Sequence, residues 1–241
     1  MFQHLSGLFG QPSLSDIEQA CALCEATCRA AVCAACDSSF ERSRCRLACG
    51  RCAIRSTSSA TCGQCLRVPP HFEATTAAFY YRYPLDKLVQ SLKFSADFKL
   101  VKFFTYALTE ALAARGGDSW GRPEIVVAMP LGNQRLKERG FNQAALLAAG
   151  VATQLNLPVA HGAMLRIRET PPQSGLNRAA RIKNIRGAFA CDASLAGKTV
   201  AIVDDVMTTG ATMSEAARVL KSAGAVRVEA WVLARAISER N

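Results

Sequence analysis

Apolar residues recur along the chain in two rhythms. "PLDKLVQSLKF" (84–94) and "LVKFFTYALTEALAA" (100–114) repeat them at helical spacing, and "NQAALLAAGVATQL" does so again with Asn142 as a candidate N-cap. "PEIVVAMP" is a short β-rich run bounded by prolines, "KTVAIVDD" a buried strand, and "VRVEAWVLAR" a further strand. Between the last two lies "ATMSEAARVLKSAG", an amphipathic helix with a glycine stop at Gly224. Strands alternating with helices predict a parallel sheet covered by helices, with the loops at the carboxyl ends of the strands forming the site. Two segments fall there: "MPLGNQRLKERGFN", after a strand ending near Ala128, and the stretch following a strand that ends near Val203.

The first quarter of the chain has a different chemistry. Of 11 cysteines only Cys191 lies outside Cys21–Cys65. The paired prolines of "RVPPHF" mark a connection, so the expected domains are 1–70 and 71–241. Eight of the cysteines form C-x-x-C knuckles: Cys21 and Cys24, Cys33 and Cys36, Cys49 and Cys52, Cys62 and Cys65. Two knuckles complete a tetrahedral zinc shell, so four suffice for two ions. Short, similar separations favour sequential pairing, with Cys21, Cys24, Cys33 and Cys36 on one ion and Cys49, Cys52, Cys62 and Cys65 on the other; an interleaved pairing also fits. A disulfide framework is the competing reading, and the odd cysteine count and two-residue spacing weigh against it. Cys28 and Cys45 belong to no knuckle.

The N-terminus has no basic segment followed by a long apolar one, and a secretory signal is not expected. The charge-free stretch Ala144–Leu165 contains Gln154, Asn156, Pro158 and His161, which suits a buried helix and strand better than a membrane span. A cytoplasmic protein without membrane insertion is expected.

The formal net charge is +10, and most of the excess is local. Between Asn133 and Ala190 nine basic residues face two acids, Glu138 and Glu169. Such a field attracts polyanions, whether nucleic acid or a phosphorylated small molecule.

The chemistry concentrates in "KTVAIVDDVMTTGAT". Backbone N–H groups from Thr208 to Thr212, at the amino end of the following helix, suit a phosphate, and Thr208, Thr209 and Thr212 add hydroxyl donors. Gly210 allows close backbone approach. Asp204 and Asp205 would repel a phosphate; their natural partners are sugar hydroxyls or hydrated Mg2+. Together these describe a ribose 5-phosphate site.

"VAIVDDVMTTGAT" resembles the signature of the type I phosphoribosyltransferases. The wider chain, with four C-x-x-C knuckles followed by "YPLDKLVQSLKF", "MPLGNQRLKERGFNQA" and "RETPPQSGLNRAARIKNIRGAF", resembles the ComF family. Members of that family are phosphoribosyltransferase-like proteins with an N-terminal double zinc ribbon, linked in many bacteria to competence and DNA uptake. The resemblance implies a type I phosphoribosyltransferase-like α/β fold preceded by a small zinc-ribbon domain. It implies phosphoribosyl pyrophosphate as ligand, with Asp204 and Asp205 on the ribose hydroxyls, Mg2+ beside them, and Thr208, Thr209, Gly210, Ala211 and Thr212 around the 5-phosphate. "PPQSGLNRAARIKNI" also resembles the mobile loop of the glutamine-dependent amidophosphoribosyltransferases. Arg135 and Arg139 in the first loop, and Arg168, Arg178 and Arg181 in or beside the second, are candidates for gripping pyrophosphate, since arginine suits bidentate phosphate contact. Gln173 and Asn177 are weaker candidates.

"MPLGN" offers only Gly132 where many type I enzymes have a glycine pair in the pyrophosphate loop, and no motif specifies an acceptor. Two functions follow: phosphoribosyl transfer to an unspecified nucleophile, or a non-catalytic module binding single-stranded DNA or DNA-uptake proteins.

Overall fold

The computed structural model describes residues 18–58, 60–115, 122–169, 178–192 and 194–237, without the side chains of residues 42, 178, 179, 181 and 182. Four parallel strands form the central sheet: β3 (Ala74–Tyr81), β4 (Ile125–Ala128), β7 (Thr199–Met207) and β8 (Arg227–Ala236), in the spatial order β3-β8-β7-β4. Two short pairs lie outside it: β1 (Gln19–Ala20) with β2 (Thr27–Cys28), and β5 (Met164–Arg166) with β6 (Phe189–Cys191).

The strands sort their side chains by twos onto two cores. Val200 and Ile202 of β7, with Val228, Ala230 and Val232 of β8, face helix α8 (Ala211–Ser222). Ala201 and Val203, with Trp231 and Leu233, face α3 (Leu85–Ser95), α4 (Lys99–Ala114) and α6 (Gln143–Leu155). Each core is closed by helices, so both faces of the sheet are dry, as a parallel sheet requires. Asn142 caps α6: its side chain accepts the Ala144 N–H at 3.0 Å and donates to the Met129 carbonyl, joining the helix to the end of β4. The stop of α8 is steric as well as conformational. Gly224 has φ +99°, and a Cβ there would lie 2.9 Å from the Ala196 backbone.

Both sheet edges are covered. At the β4 edge, Val126 donates to Pro158 and accepts from Ala160. At the β3 edge the cysteine-rich segment takes this role: Cys45 N–H donates to the Ala78 carbonyl, Thr75 N–H to that of Gly50, and Tyr80 hydroxyl to that of Leu47. Open edges invite pairing with other chains, and here the edges are occupied from within. Phe40, fully buried in a short turn of 3-10 helix (Phe40–Ser43), places its ring 5.6 Å from Phe79 and 5.9 Å from Phe103. The cysteine-rich segment, which also contains α1 (Ala34–Ser39) and α2 (Gly63–Arg67), thus shares a core with the sheet and α4.

Two sequence expectations are corrected. The strand expected to end near Val203 continues through both aspartates to Met207. "MPLGNQRLKERGFN" is not all loop, since α5 (Asn133–Arg139) lies within it and ends at Gly140 with φ +79°.

Candidate functional site

A cleft of about 240 Å³ opens at the carboxyl ends of β4 and β7. Asp204 and Asp205 form its floor, Thr208, Gly210 and Thr212 one wall, and Lys93, Arg135, Arg139 and Arg166 the cationic remainder. The topology explains the convergence. Neighbouring parallel strands deliver their following loops to the same end of the sheet, and α3 crosses that end with Lys93 in its last turn.

The acids are held from within. Asp204 accepts the N–H of Asp205 at 2.8 Å, and Asp205 accepts that of Val206 at 2.6 Å. Lys93 Nζ lies 2.6 Å from Asp205 Oδ2, a largely buried pair. Burial, and then the charge of Asp205, push the Asp204 carboxyl up from 3.8 to about 8. Two adjacent carboxylates in a desolvated site cannot both ionise cheaply, and Lys93 pairs with one of them.

Beyond the acids, β7 turns into α8 at Gly210, whose φ of +79° favours a residue without a side chain. Thr209 Oγ1 accepts the Ala211 N–H at 3.4 Å, and Ala211 begins the 12-residue helix. Of the anticipated loop residues, Thr208, Gly210 and Thr212 line the cleft.

The arginines divide. Arg135 and Arg139 line the cleft; Arg139 Nη1 donates to Gln143, and its guanidinium lies 5.6 Å over the Phe94 ring. Arg168 is engaged elsewhere, donating to the carbonyls of Asn184 at 2.8 Å and Arg186 at 2.7 Å. Arg166, two residues earlier, lines the cleft. Arg178 and Arg181 stand on α7 (Arg178–Ile185), but their side chains, like Gln173 and Asn177, lie outside the described residues. Glu169 caps the start of α5 by accepting the Gln134 N–H at 3.1 Å.

Lys93 and Arg166 were not anticipated. The signal for Lys93 was present: it stands four residues after Val89, beside the buried stripe of Leu85, Leu88 and Leu92. A lysine placed there needs a carboxylate nearby.

The cysteines gather in two groups, Cys21, Cys24, Cys33 and Cys36, and Cys49, Cys52, Cys62 and Cys65, with all four sulfurs of each within 4.8 Å of one another. All are free thiols. Cys24 and Cys33 sulfurs are 3.7 Å apart, those of Cys52 and Cys62 3.8 Å. A Zn–S bond of about 2.3 Å gives a tetrahedron edge of ~3.8 Å, so both groups fit the ion. Backbone N–H groups point at the sulfurs, Cys33 to Cys21 at 3.3 Å and Cys62 to Cys49 at 3.2 Å. Burial opposes ionisation of these two thiols, yet the N–H donors outweigh it and bring Cys21 down to about 6 and Cys49 to about 7. Thiolates are the form a metal requires.

Residues 142–241 match the family model of the phosphoribosyl transferase domain. The chain is 34% identical to DNA utilization protein YhgH of Escherichia coli K12 over 191 residues, 78% of this chain and 84% of that protein. It is 32% identical to competence protein F of Haemophilus influenzae Rd, covering 73% and 78%. Against competence protein ComFC of Streptococcus pneumoniae R6 the identity is 30%, covering 85% and 87%.

Proposed function

The chain belongs to the ComF family, and from that premise we propose that its cleft binds phosphoribosyl pyrophosphate with Mg2+ and transfers the phosphoribosyl group to a nucleophile. The observation that carries this reading is the meeting, in one cleft, of an acid pair and a hydroxyl-bearing turn at the amino end of α8. In it Asp204 and Asp205 take the ribose hydroxyls, and the amides and hydroxyls of Thr208, Thr209, Gly210, Ala211 and Thr212 take the 5-phosphate. Arg135, Arg139 and Arg166 face the pyrophosphate. Arg178 and Arg181, from α7, belong to the same proposal.

Two carboxylates facing a cleft are the hard oxygen donors that Mg2+ accepts, often through water. When bound, the ion would neutralise charge developing on the leaving pyrophosphate. The protein's own contribution is preorganisation. In this reading the cleft arginines stand where negative charge would grow as the bond from the sugar breaks, and Lys93, paired with Asp205, lies beside the sugar. Zinc in the two cysteine groups is structural in this reading, because each group offers four sulfurs and leaves no open coordination position.

Titration calorimetry tests the donor site. Wild type should bind phosphoribosyl pyrophosphate only with Mg2+, and the Asp204→Asn, Asp205→Asn double variant should bind at least tenfold more weakly. No heat with wild type at millimolar ligand sinks the reading. Elemental analysis of protein prepared without chelator should give two zinc ions per chain.

The names of the relatives, DNA utilization and competence proteins, favour a role in DNA uptake. The exposed Arg135, Lys137, Lys183 and Arg186 supply a second reading, a single-stranded DNA or partner surface in the same pathway, with the cleft as a ligand sensor. DNA binding that falls steeply with salt, without transfer from the donor, would favour it.

A further inference from the structure

Arg235 is a buried cation that the donor site does not use. It is 6% exposed and stands near the end of β8, in register with Met207. It donates to carbonyl oxygens from two parts of the molecule. Nε donates to Cys52 at 2.8 Å, while Nη1 donates to Met207 at 3.1 Å, Ala236 at 2.8 Å and Thr208. One planar group therefore joins a knuckle of the second cysteine group to the first residues of the phosphate turn. Its fork of fixed donors makes that link directional.

The knuckle is held on its other side too. Thr75 of β3 donates its N–H to Gly50 at 3.1 Å and its hydroxyl to Arg51 at 2.6 Å. The Cys49–Cys52 turn is thus anchored at three successive carbonyls, two on β3 and one on Arg235. The guanidinium is buried directly against Cys52, a ligand residue of the second group. A zinc ion with four thiolates carries a net charge of about −2, so a filled second group is the natural counter-charge.

We propose that Arg235 is a positioning residue through which zinc in the second cysteine group sets the geometry of the turn at Thr208–Thr212. The proposal rests on the zinc reading of that group, and it goes beyond a merely structural ion. When the metal leaves, the Cys49–Cys52 turn loses its fixed shape and the guanidinium loses its counter-charge together with the Cys52 carbonyl. The carbonyls of Met207 and Thr208 then lose a rigid donor. The first group, made by Cys21, Cys24, Cys33 and Cys36, has no such link to the turn among the described residues, so the two ions have different consequences.

Amide hydrogen exchange of the Met207–Thr212 segment reads the coupling directly. Cys62→Ser, in the second group, and Arg235→Met should each raise exchange there about tenfold, whereas Cys24→Ser, in the first, should not. In Arg235→Met one of the two zinc ions should also pass to 4-(2-pyridylazo)resorcinol about tenfold faster, with Arg235→Lys intermediate. Exchange of the α6 amides, unchanged across the set, shows that the fold persists. If that control fails in one variant, the remaining second-group variant decides. Wild-type exchange in both Arg235→Met and Cys62→Ser overturns the proposal, as does an equal rise in Cys24→Ser. The readouts need no donor, so failure of phosphoribosyl pyrophosphate to bind would sink the proposed function and leave this result standing.

Discussion

Asp204→Asn should make the metal-free site more stable while destroying its use. In wild type, burial and the Asp205 charge raise the Asp204 carboxyl from 3.8 to about 8. Between those values the folded chain holds a proton that the unfolded chain has released. Stability from this group is therefore full below 3.8, falls as pH rises through the window, and levels off above about 8. At about 1.36 kcal/mol per unit, a sealed carboxyl would cost ~4 kcal/mol at neutral pH. Asp204 is partly open to the cleft and within the field of Lys93, so about half of that, ~2 kcal/mol, is the working figure. Asparagine keeps the shape and carries no such penalty. Urea unfolding without Mg2+ should show Asp204→Asn more stable by ~2 kcal/mol at pH 7, the gap widening somewhat to pH 8 and closing toward pH 4. The same proton should appear in calorimetry of wild type: near pH 7, binding of Mg2+ with the donor releases up to about one proton, seen as a heat that varies with buffer ionisation enthalpy. A stability gap independent of pH, or a variant less stable at pH 8, would refute the burial argument.

Lys93→Met removes the ion-pair partner of the buried Asp205 and leaves it only the more distant Arg139; the variant should lose about 2–3 kcal/mol at pH 8 by urea unfolding, and Asp205→Asn added to it should recover part of the loss. Phe40→Ala empties a fully buried position between Phe79 and Phe103, and should cost about 3–5 kcal/mol in one cooperative transition that includes the sheet, because the cysteine-rich segment and the sheet share that core.

The elements legible in the sequence were those whose composition is strongly biased or whose ends carry caps. β4, β7 and β8 are rich in Val and Ile, and α6 and α8 are bounded by their caps, Asn142 and Gly224. β3, "ATTAAFYY", escaped because seven of its eight residues are buried on both faces, which erases the two-residue alternation, and because alanine carries little strand preference. Its pairing with the cysteine-rich segment is equally invisible, since backbone carbonyls of Gly50 and Leu47 leave no trace in side-chain pattern. The length of β7 was misjudged for a related reason. Two aspartates look like the end of a buried strand, yet here each is satisfied by the following N–H, and Lys93 pairs with one of them, so the strand continues.

The candidate site divides along the same line. Wrapping a phosphate takes consecutive amides, so a phosphate turn is contiguous in sequence and can be recognised as a unit. A counter-charge needs only nearness in space, which any element can supply. Arg166, Lys93 and Arg235 come from β5, α3 and β8, and none belongs to the phosphoribosyltransferase signature. What distinguishes two of them is position: Lys93 beside an apolar helical stripe, and Arg235 near the end of an apolar strand. A cation in such a place is kept only where an anion or a set of carbonyls receives it. One meets the acid pair, and the other meets carbonyls of the turn after β7 and of the second cysteine group. The partly buried Lys93 and the buried Arg235 therefore mark the acid pair and the second cysteine group from the opposite side.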